Sequence, residues 1–290
     1  MKNKTILISL LFITSKIIAQ LPNTDIWLLD IKANRDSIVL KNPVNITNRL
    51  GYDNQPSFSP DGKYILYTSI HEDKQADIYK YDLITKNISQ FTKTATSEYS
   101  PTFMPDGKNI SVVMIEADST TQRLWKFPIR GGPPSLIMKD IDSIGYHCWI
   151  TKDSLALVMI TKSPTLEVVN VKTQKYKVLA SNVGRCITSV SETLFYVQKK
   201  DSTKYYLSNY MKSIKDREKN YYSLPNEDYA ILLSFQPIYF TGVKSKIMAS
   251  YPFKNTDKVI LDLSNKGIKN ITRIAISSDG TKMAIVAESK

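Results

Sequence analysis

The chain has 290 residues, is 42% hydrophobic and carries a formal net charge of +12 at neutral pH. This length is enough for one large β domain with a complete core. The lysines are scattered singly along the chain, which favours a solvated surface over nucleic-acid binding. We therefore expect no nucleic-acid partner, while attraction to anionic glycans or to a membrane surface stays open.

The N-terminal segment, residues 1–19, is typical of a secretory signal peptide. A basic start at Lys2 and Lys4 is followed by a short apolar run and by small Ala19. A lysine inside the segment leaves an uncleaved anchor as the alternative, and no later stretch approaches about 18 apolar residues. We expect a periplasmic or secreted mature chain, residues 20–290, without a transmembrane segment. Residues 1–19 contain three lysines and no acidic residue, so their removal lowers the net charge from +12 to +9.

Short strands follow the predicted signal peptide. DIWLLDI from Asp25 and SIVLKNPV from Ser37 read as two strands. The segment from Pro56 holds four more: PSFS, then YILYTS after the turn PDG, then DIYKYDL and NISQFT. In that turn Pro presets φ, Asp tolerates the next position and Gly accepts the positive φ that closes the hairpin. One unit is therefore four short strands.

The unit recurs along the chain. We predict that its innermost strands start near Pro56, Pro101, His147, Arg185, Ala230 and Ile274. The intervals of 38 to 46 residues match the period of a four-stranded propeller blade. The second strand is a continuous apolar run, such as ISVVMI from Ile110, which predicts burial on both faces.

The last unit has sequence for only two strands after Ile274, and the N-terminal pair can supply the other two. We therefore predict an all-β fold, a six-bladed β-propeller of four-stranded antiparallel blades over residues 20–290. The N- and C-terminal strands would close the last blade and leave no free sheet edge at the seam. Trp27 and Ile285 should then lie in the same sheet.

The units PSFSPDGKYILYTS...ADIYKYDL and PTFMPDGKNISVVM...RLWKFP resemble the propeller repeats of the TolB family, periplasmic six-bladed propellers of the Gram-negative cell envelope. The resemblance is specific over residues 25–140 and 276–287, and rests on period and pattern between 147 and 272. It implies a ring whose central funnel receives protein or peptide partners. TolB also carries an α/β domain ahead of its propeller, for which we expect no counterpart here.

The two cysteines, Cys148 and Cys186, fall at nearly the same register of adjacent innermost strands. Because side chains alternate between the faces of a sheet, equal register directs both thiols the same way around the ring, towards different blade interfaces. A disulfide between them is then geometrically poor. We expect two buried, free thiols.

Few residues are suited to catalysis. The sequence has no G-x-S-x-G elbow, and its two histidines, His71 and His147, are too few for a multi-histidine metal cage. Carboxylates recur at both ends of the third strand, which favours hydrogen bonding to turns over catalysis; they are Asp25, Asp30, Asp77 and Asp82. We expect no catalytic residue, no metal site and no cofactor.

The segment from Lys199 to Tyr222 holds seven basic residues and five tyrosines. It is either a glycan- or peptide-binding surface, with tyrosine faces stacking on a ligand, or an outer pair of strands whose alternate tyrosines are core. The pattern favours the outer strands.

Loops at one end of a rigid ring are where we expect a partner to bind. The residues in or beside those loops are Tyr52, Asn54, His71, Tyr99, Tyr146 and His147. We predict a monomeric, exported, non-enzymatic propeller that binds a protein or peptide of the cell envelope at this funnel face. The alternative is a carbohydrate-active or other small-substrate enzyme at the same mouth, which would need a convergent acid–base cluster.

Overall fold

A computed structural model describes residues 22–34, 37–200, 204–211, 219–233, 237–252 and 256–288. The predicted signal peptide, residues 1–19, lies outside these ranges. Within them the structure is built from β-strands, with a 3-10 helix at Ser264–Lys266. No helical segment of the described chain has the length and apolar composition needed to cross a membrane.

The strands follow one another as short hairpins. The first pair is β1 (Thr24–Ala33) and β2 (Ile38–Asn45). The next four are β3 (Tyr52–Phe58), β4 (Tyr64–Ile70), β5 (Ala76–Asp82) and β6 (Ile88–Gln90). They are followed by β7 (Ser97–Phe103), β8 (Asn109–Ile115), β9 (Gln122–Pro128) and β10 (Ser135–Leu136).

The second half of the chain repeats this pattern. It begins with β11 (Ile144–Thr151), β12 (Ser154–Met159), β13 (Thr165–Asn170) and β14 (Tyr176–Ser181). Then come β15 (Val183–Val190), β16 (Thr193–Lys199), β17 (Tyr205–Met211) and β18 (Lys219–Leu224). The last strands are β19 (Ala230–Leu233), β20 (Pro237–Val243), β21 (Lys246–Tyr251), β22 (Thr256–Asp262), β23 (Ile271–Ile276) and β24 (Lys282–Glu288).

The described strands form four four-stranded sheets and one eight-stranded sheet, in which antiparallel pairing separates two further groups of four strands. Five groups are consecutive in sequence, from β3–β6 to β19–β22, and the sixth has the order β23, β24, β1, β2. One parallel bridge between Thr24 and Tyr52 joins this sixth group to β3–β6. The predicted pairing of the two chain ends in one sheet is present, with Trp27 opposite Ile285.

The Pro-Asp-Gly turns have the backbone that the sequence predicts. Gly62, Gly107 and Gly280 have φ values of 66°, 65° and 71°, a region where only glycine is unstrained. The turn between β15 and β16 lacks this motif and has only two residues, Ser191 and Glu192, at φ 49° and 62°. Two positive φ values are what a tight hairpin turn with the right-handed twist of its strands requires.

The core consists of apolar clusters, each of which lies between two neighbouring groups. The second strand of each group supplies the largest share of it, because these strands are covered on both faces; β12, for example, is buried at every position. One cluster packs Ile65 of β4 against Val286 of β24, and another packs Phe240 of β20 against Met283 of β24. The group that contains both chain ends is thus packed on both of its sides.

The recurring third-strand carboxylates make local hydrogen bonds, and the predicted bonding to turn backbone is seen for Asp82. Asp30 and Asp77 bond instead to side chains, Asn42 and Lys282 for Asp30 and Gln75 and Gln90 for Asp77. Asp25 accepts hydrogen bonds from Asn45 Nδ2 (2.9 Å) and from Thr47 Oγ1 (3.2 Å), next to the end of β2. Asp82 accepts from the backbone N–H groups of Ile84 and Thr85, at 3.0 and 2.8 Å. These acids therefore satisfy local polar groups that would otherwise lack partners.

The cysteines are free thiols, as predicted. Each residue is partly exposed and not fully buried as expected. Cys148 packs into the cluster between β11–β14 and β15–β18, and Cys186 into the next cluster, between β15–β18 and β19–β22. The segment between Lys199 and Tyr222 contains the outer strands β17 and β18. Tyr205 and Tyr222 pack against the core, which agrees with the favoured interpretation of that segment.

Candidate functional site: the mouth of the central cavity

A cavity of about 450 Å³ is lined by the innermost strands of all six groups. This volume lies in the range of pockets that hold small ligands. At one end, where these strands begin, each group contributes one polar or charged residue. In chain order they are Gln55, Ser100, Tyr146, Arg185, Asp228 and Arg273. We call these six residues the mouth of the cavity.

The first two mouth residues are positioned by irregular strand pairing. The register of β3 shifts between Asn54 and Ser57, and Gln55 and Ser100 have positive φ values of 57° and 55°. Such a bulge redirects a side chain relative to a regular strand. The carbonyl oxygen of the Gln55 side chain accepts from Thr68 Oγ1 (2.7 Å) and from Ser100 N (2.8 Å), so it ties two neighbouring groups together at the mouth.

Arg185 is fully engaged by neighbouring acids. Its Nε lies 3.0 Å from Asp228 Oδ2 and 3.5 Å from Glu227 Oε1, and its Nη2 donates to both Asp228 Oδ2 and the carbonyl oxygen of Thr272 (3.0 Å). Burial opposes the charged form, but the hydrogen bonds and the attraction of Asp228 outweigh it and raise the pKa of the Arg185 guanidinium. The ion pair links three groups, since Arg185 lies on β15, Asp228 precedes β19 and Thr272 lies on β23.

Arg273 has a different environment from Arg185. Its guanidinium carbon lies 5.2 Å from the centre of the Tyr146 ring, a cation–π distance. Arg273 lies on β23 and Tyr146 on β11, three groups away around the cavity, so the two side chains meet across the mouth. Its Nε is buried without a hydrogen-bond partner, and no described carboxylate forms an ion pair with it.

Two of the predicted tyrosines, Tyr52 and Tyr99, lie near the mouth but do not line the cavity. Burial raises the pKa of the Tyr52 hydroxyl, and the side chain is close enough to Arg273, Tyr146 and Tyr99 to interact with them electrostatically. Burial also raises the pKa of Tyr99. Both hydroxyls are therefore neutral near pH 7. Tyr52 and Tyr146 thus lie near the two arginines, and Tyr99 lies next to Tyr52.

His147 lines the cavity but has no feature of a general base. Burial lowers the pKa of its imidazole to about 3, so the ring is neutral near pH 7. Its Nε2 lies 2.7 Å from Ser111 Oγ, which also accepts from Trp149 Nε1 at 2.9 Å. No described carboxylate orients the ring, and Nδ1 has no partner in the described chain. This network holds Trp149 and β8 in place and lacks the acid of a catalytic triad.

The other two predicted residues do not line the cavity. Asn54 is buried, and its Oδ1 accepts from the backbone N–H of Gln55 at 2.8 Å. His71 is exposed beyond the end of β4 and stacks on Tyr79 with ring centres 4.6 Å apart. Its Nε2 contacts Ser69 Oγ at 3.1 Å, and Ser69 in turn donates to Asp53. Because the hydroxyl lies between the carboxylate and the imidazole, the order of a catalytic triad is not met.

The two cysteines at the cavity are also unsuited to nucleophilic chemistry near neutral pH. Burial raises the pKa of both Cys148 and Cys186 to about 12, so neither is a thiolate nucleophile. The described residues contain no cluster of three or more histidine, cysteine or acidic side chains arranged to hold a metal ion. What the mouth offers is a pair of guanidinium groups and a set of aromatic faces.

Three charged mouth residues, Arg185, Asp228 and Arg273, are not among the predicted site residues. A signal for them does exist in the sequence. Relative to the predicted starts of the innermost strands, Arg273 occupies the position of Gln55 and Ser100, one residue before the start, whereas Arg185 is itself a predicted start and Asp228 lies two residues before one. Polar residues at the start of every innermost strand mark the positions that converge on the axis.

Solved structures with the same arrangement of strands were found by comparison. No family model matches the sequence, and a search of curated proteins finds no match. The structure is similar to a TolB-type protein from Agrobacterium tumefaciens, with a TM-score of 0.66 and 11% identity over 93% of this chain and 99% of that one. It is also similar to TolB from Acinetobacter baumannii, with a TM-score of 0.60 and 15% identity, covering 92% of this chain and 64% of the TolB chain.

An enzyme has a comparable fold. Oligogalacturonate lyase in complex with manganese matches with a TM-score of 0.57 and 10% identity, covering 87% of this chain and 82% of the lyase. Four-stranded antiparallel sheets around a shared cavity define the protein as a β-propeller. The similarity to both TolB structures identifies a TolB-like propeller. At these identities the likeness concerns the fold and carries no activity with it.

Proposed function

We propose that this protein is an exported, closed six-bladed propeller that binds a protein or peptide of the cell envelope at the mouth of its cavity. The observation that carries the proposal is the convergence of Arg185, Arg273 and Tyr146 at the mouth of the cavity, with Tyr52 close to them. Arginine and tyrosine are the residue types enriched at protein-binding hot spots. They are held here by a rigid scaffold rather than by one loop.

Closure of the ring is supported by the packing between groups. Each group shares an apolar cluster with the next, and the last of these clusters joins β19–β22 to the group that contains both chain ends. A cycle of such interfaces leaves no sheet face uncovered. The strand pairing of Trp27 with Ile285 would then hold the ring shut with backbone hydrogen bonds between the two ends of the chain.

Export and location follow from the N-terminal sequence and from the TolB-like fold. The segment 1–19 has the basic, apolar and small-residue regions of a signal peptide, and the resemblance to TolB favours the cell envelope. A monomer is proposed because the sheets within one chain cover one another. Fractionation of the native host, followed by mass determination of the mature N-terminus, tests the cleavage at Ala19.

An enzyme acting on a small substrate is the second candidate. It is favoured by the similarity in fold to oligogalacturonate lyase and by the cavity volume, which suits a small ligand. General acid–base catalysis near pH 7 is most efficient with groups that titrate near that pH. Among the groups that line the cavity, the pKa values of His147 and the two thiols are shifted away from neutrality. Burial raises the pKa of Glu98 to about 7, but Glu98 is fully buried and does not line the cavity, which favours binding over catalysis.

Photo-crosslinking in intact cells tests the binding proposal. Tyr146 at the mouth is replaced by a photo-crosslinking phenylalanine analogue, and adducts are identified by mass spectrometry. The matched control is the same replacement at Tyr176, which is 60% exposed on the outer strand β14. We expect one specific protein adduct at position 146 and none of that protein at position 176.

Two results would contradict this function. Equal capture of the same proteins at both positions would indicate non-specific contact. Depolymerisation of an envelope polysaccharide by the purified protein, with no specific adduct at position 146, would establish the enzyme instead.

A further inference from the structure

The two arginines of the mouth differ in one respect that points to a ligand. Arg185 uses its Nε and Nη2 edge to bind the Asp228 carboxylate, with Glu227 beside it. Arg273 lies at the same level of the cavity, yet no hydrogen bond or ion pair to a described residue engages its guanidinium, and its Nε is buried. A buried N–H donor without an acceptor is unfavourable. An anion bound at this position would supply the missing acceptor.

The geometry around Arg273 also specifies how that anion would bind. The Arg273 guanidinium lies over the Tyr146 ring, with its carbon 5.2 Å from the ring centre, and its Nε has no acceptor among the described residues. Carboxylates bind the N–H edge of arginine, and arginine also stacks on aromatic rings. Arg185 uses its Nε and Nη2 edge to bind a carboxylate within this protein, through Oδ2 of Asp228.

We propose that Arg273, held by Tyr146, is a binding subsite for a carboxylate group of the peptide partner. This subsite deepens the proposed function and rests on it. Because the Arg273 side chain lies across the mouth, a chain end fits this position better than a chain that continues through the cavity. The C-terminal carboxylate of a peptide is therefore the expected source, and the side chain of aspartate or glutamate presents the same chemistry.

Short peptides of defined charge test the subsite. The probes are acetyl-trialanine with a free C-terminal carboxylate, the same peptide amidated, and acetyl-Ala-Glu-Ala amide, each titrated by NMR into the mature protein. Binding is followed by the Arg273 Nε–Hε signal, assigned by its loss in Arg273→Lys. We expect saturable shifts with the free carboxylate and about tenfold weaker binding of the amide, because the bidentate contact is lost.

Variants separate the subsite from general effects. Arg273→Gln removes the charge, and Arg273→Lys keeps the charge but not the fork of donors. Both should weaken binding of the free carboxylate by about tenfold or more, as read from backbone amide shifts. The matched control is Arg123→Gln, which removes an arginine already paired with Glu116 on β8–β9 and should leave binding unchanged. Circular dichroism melts confirm that each variant is folded.

The outcomes assign the subsite clearly. Preference for the free terminal carboxylate supports a chain end, and equal preference for the glutamate peptide supports the same site with a side-chain carboxylate. Equal binding of acid and amide, or binding unaffected in Arg273→Gln, overturns the proposal. Binding of oligogalacturonate alone, with no peptide shift, also overturns it and assigns the site to an acidic sugar.

A further comparison distinguishes failure of the subsite from failure of the proposed function. If the Tyr146 crosslinking variant captures its protein equally well with and without Arg273→Gln, the protein-binding function stands and the carboxylate subsite is wrong. If no specific adduct forms while the free-carboxylate peptide still binds in an Arg273-dependent way, the subsite stands and the protein-binding function is wrong.

Discussion

Replacing Glu98 with glutamine should remove a pH dependence of stability that the structure assigns to one buried carboxyl group. Glu98 is fully buried on β7. Its Oε2 accepts from Thr92 Oγ1 at 2.9 Å, and its Oε1 contacts Thr94 Oγ1. Asp53 holds the same position in the preceding unit and pairs with Arg49 at 2.7 Å. No described cation forms such a pair with Glu98.

The hydrogen bonds of Thr94 are consistent with a protonated Glu98. Thr94 Oγ1 lies 3.0 Å from the carbonyl oxygen of Thr96 as well as in contact with Glu98. A hydroxyl has one hydrogen to donate. If that hydrogen goes to the Thr96 carbonyl, the carboxyl group of Glu98 must be the donor in the other contact. Glutamine supplies N–H donors at the same place, so Glu98→Gln is close to isosteric with the protonated acid.

The magnitude follows from the shifted pKa. Burial, opposed by hydrogen bonds from Thr94 and Thr92, raises the pKa of Glu98 from 4.5 to about 7. Between these values the folded protein holds a proton that the unfolded chain has released, so stability falls as the pH rises from 4.5 to 7 and is flat outside that window. At 1.36 kcal/mol per pH unit, the loss is at most about 3 kcal/mol.

Urea unfolding at several pH values between 4.5 and 8 measures this effect. We expect the wild-type free energy of unfolding to fall relative to that of Glu98→Gln across the window. The matched control is Glu116→Gln on the edge of β8. The hydrogen bond from Arg123 lowers the pKa of Glu116 below 4.5, so its stabilisation is present above 4.5 and lost only at lower pH. The difference between wild type and Glu116→Gln should therefore be constant from pH 5 to 8.

Parallel stability profiles of wild type and Glu98→Gln over this window would refute the reasoning. They would mean that Glu98 ionises in the folded protein as readily as in the unfolded chain.

Three further predictions concern the fold. Gly62→Ala should cost about 1 kcal/mol in urea unfolding, because φ is +66° and no atom lies near the added methyl group; Gly62→Asn should cost less, and equal stability of all three would contradict the strain. Deleting residues 25–48 should give an insoluble protein, because it exposes the edge of β24; a monomeric truncation that melts cooperatively would count against closure. Cys148 and Cys186 should be unreactive towards a thiol reagent at pH 8 until urea unfolds the protein, because burial raises their pKa values to about 12, and rapid labelling of the folded state would show that they are accessible.

Much of the strand order could be predicted from local sequence. The Pro-Asp-Gly turn at Gly62 needs a conformation that few other residues adopt, and apolar runs such as the one from Ile110 fit only strands covered on both faces. The period of these local signals places the innermost strands, including the weakly marked one that contains Arg185. The absence of partners for the last two strands likewise predicts that β1 pairs with β24.

The geometry of the mouth was decided only by the tertiary structure. Tyr146 and Arg273 are far apart in sequence and lie on strands on opposite sides of the cavity, so no local pattern predicts that they meet. Whether Asn54 or Gln55 faces the cavity depends on a bulge with positive φ, since a shift of one residue moves a side chain to the other face. Local periodicity determines which residues form strands, while the contacts between distant strands determine which charges are paired, and the unpaired guanidinium of Arg273 is a product of the latter.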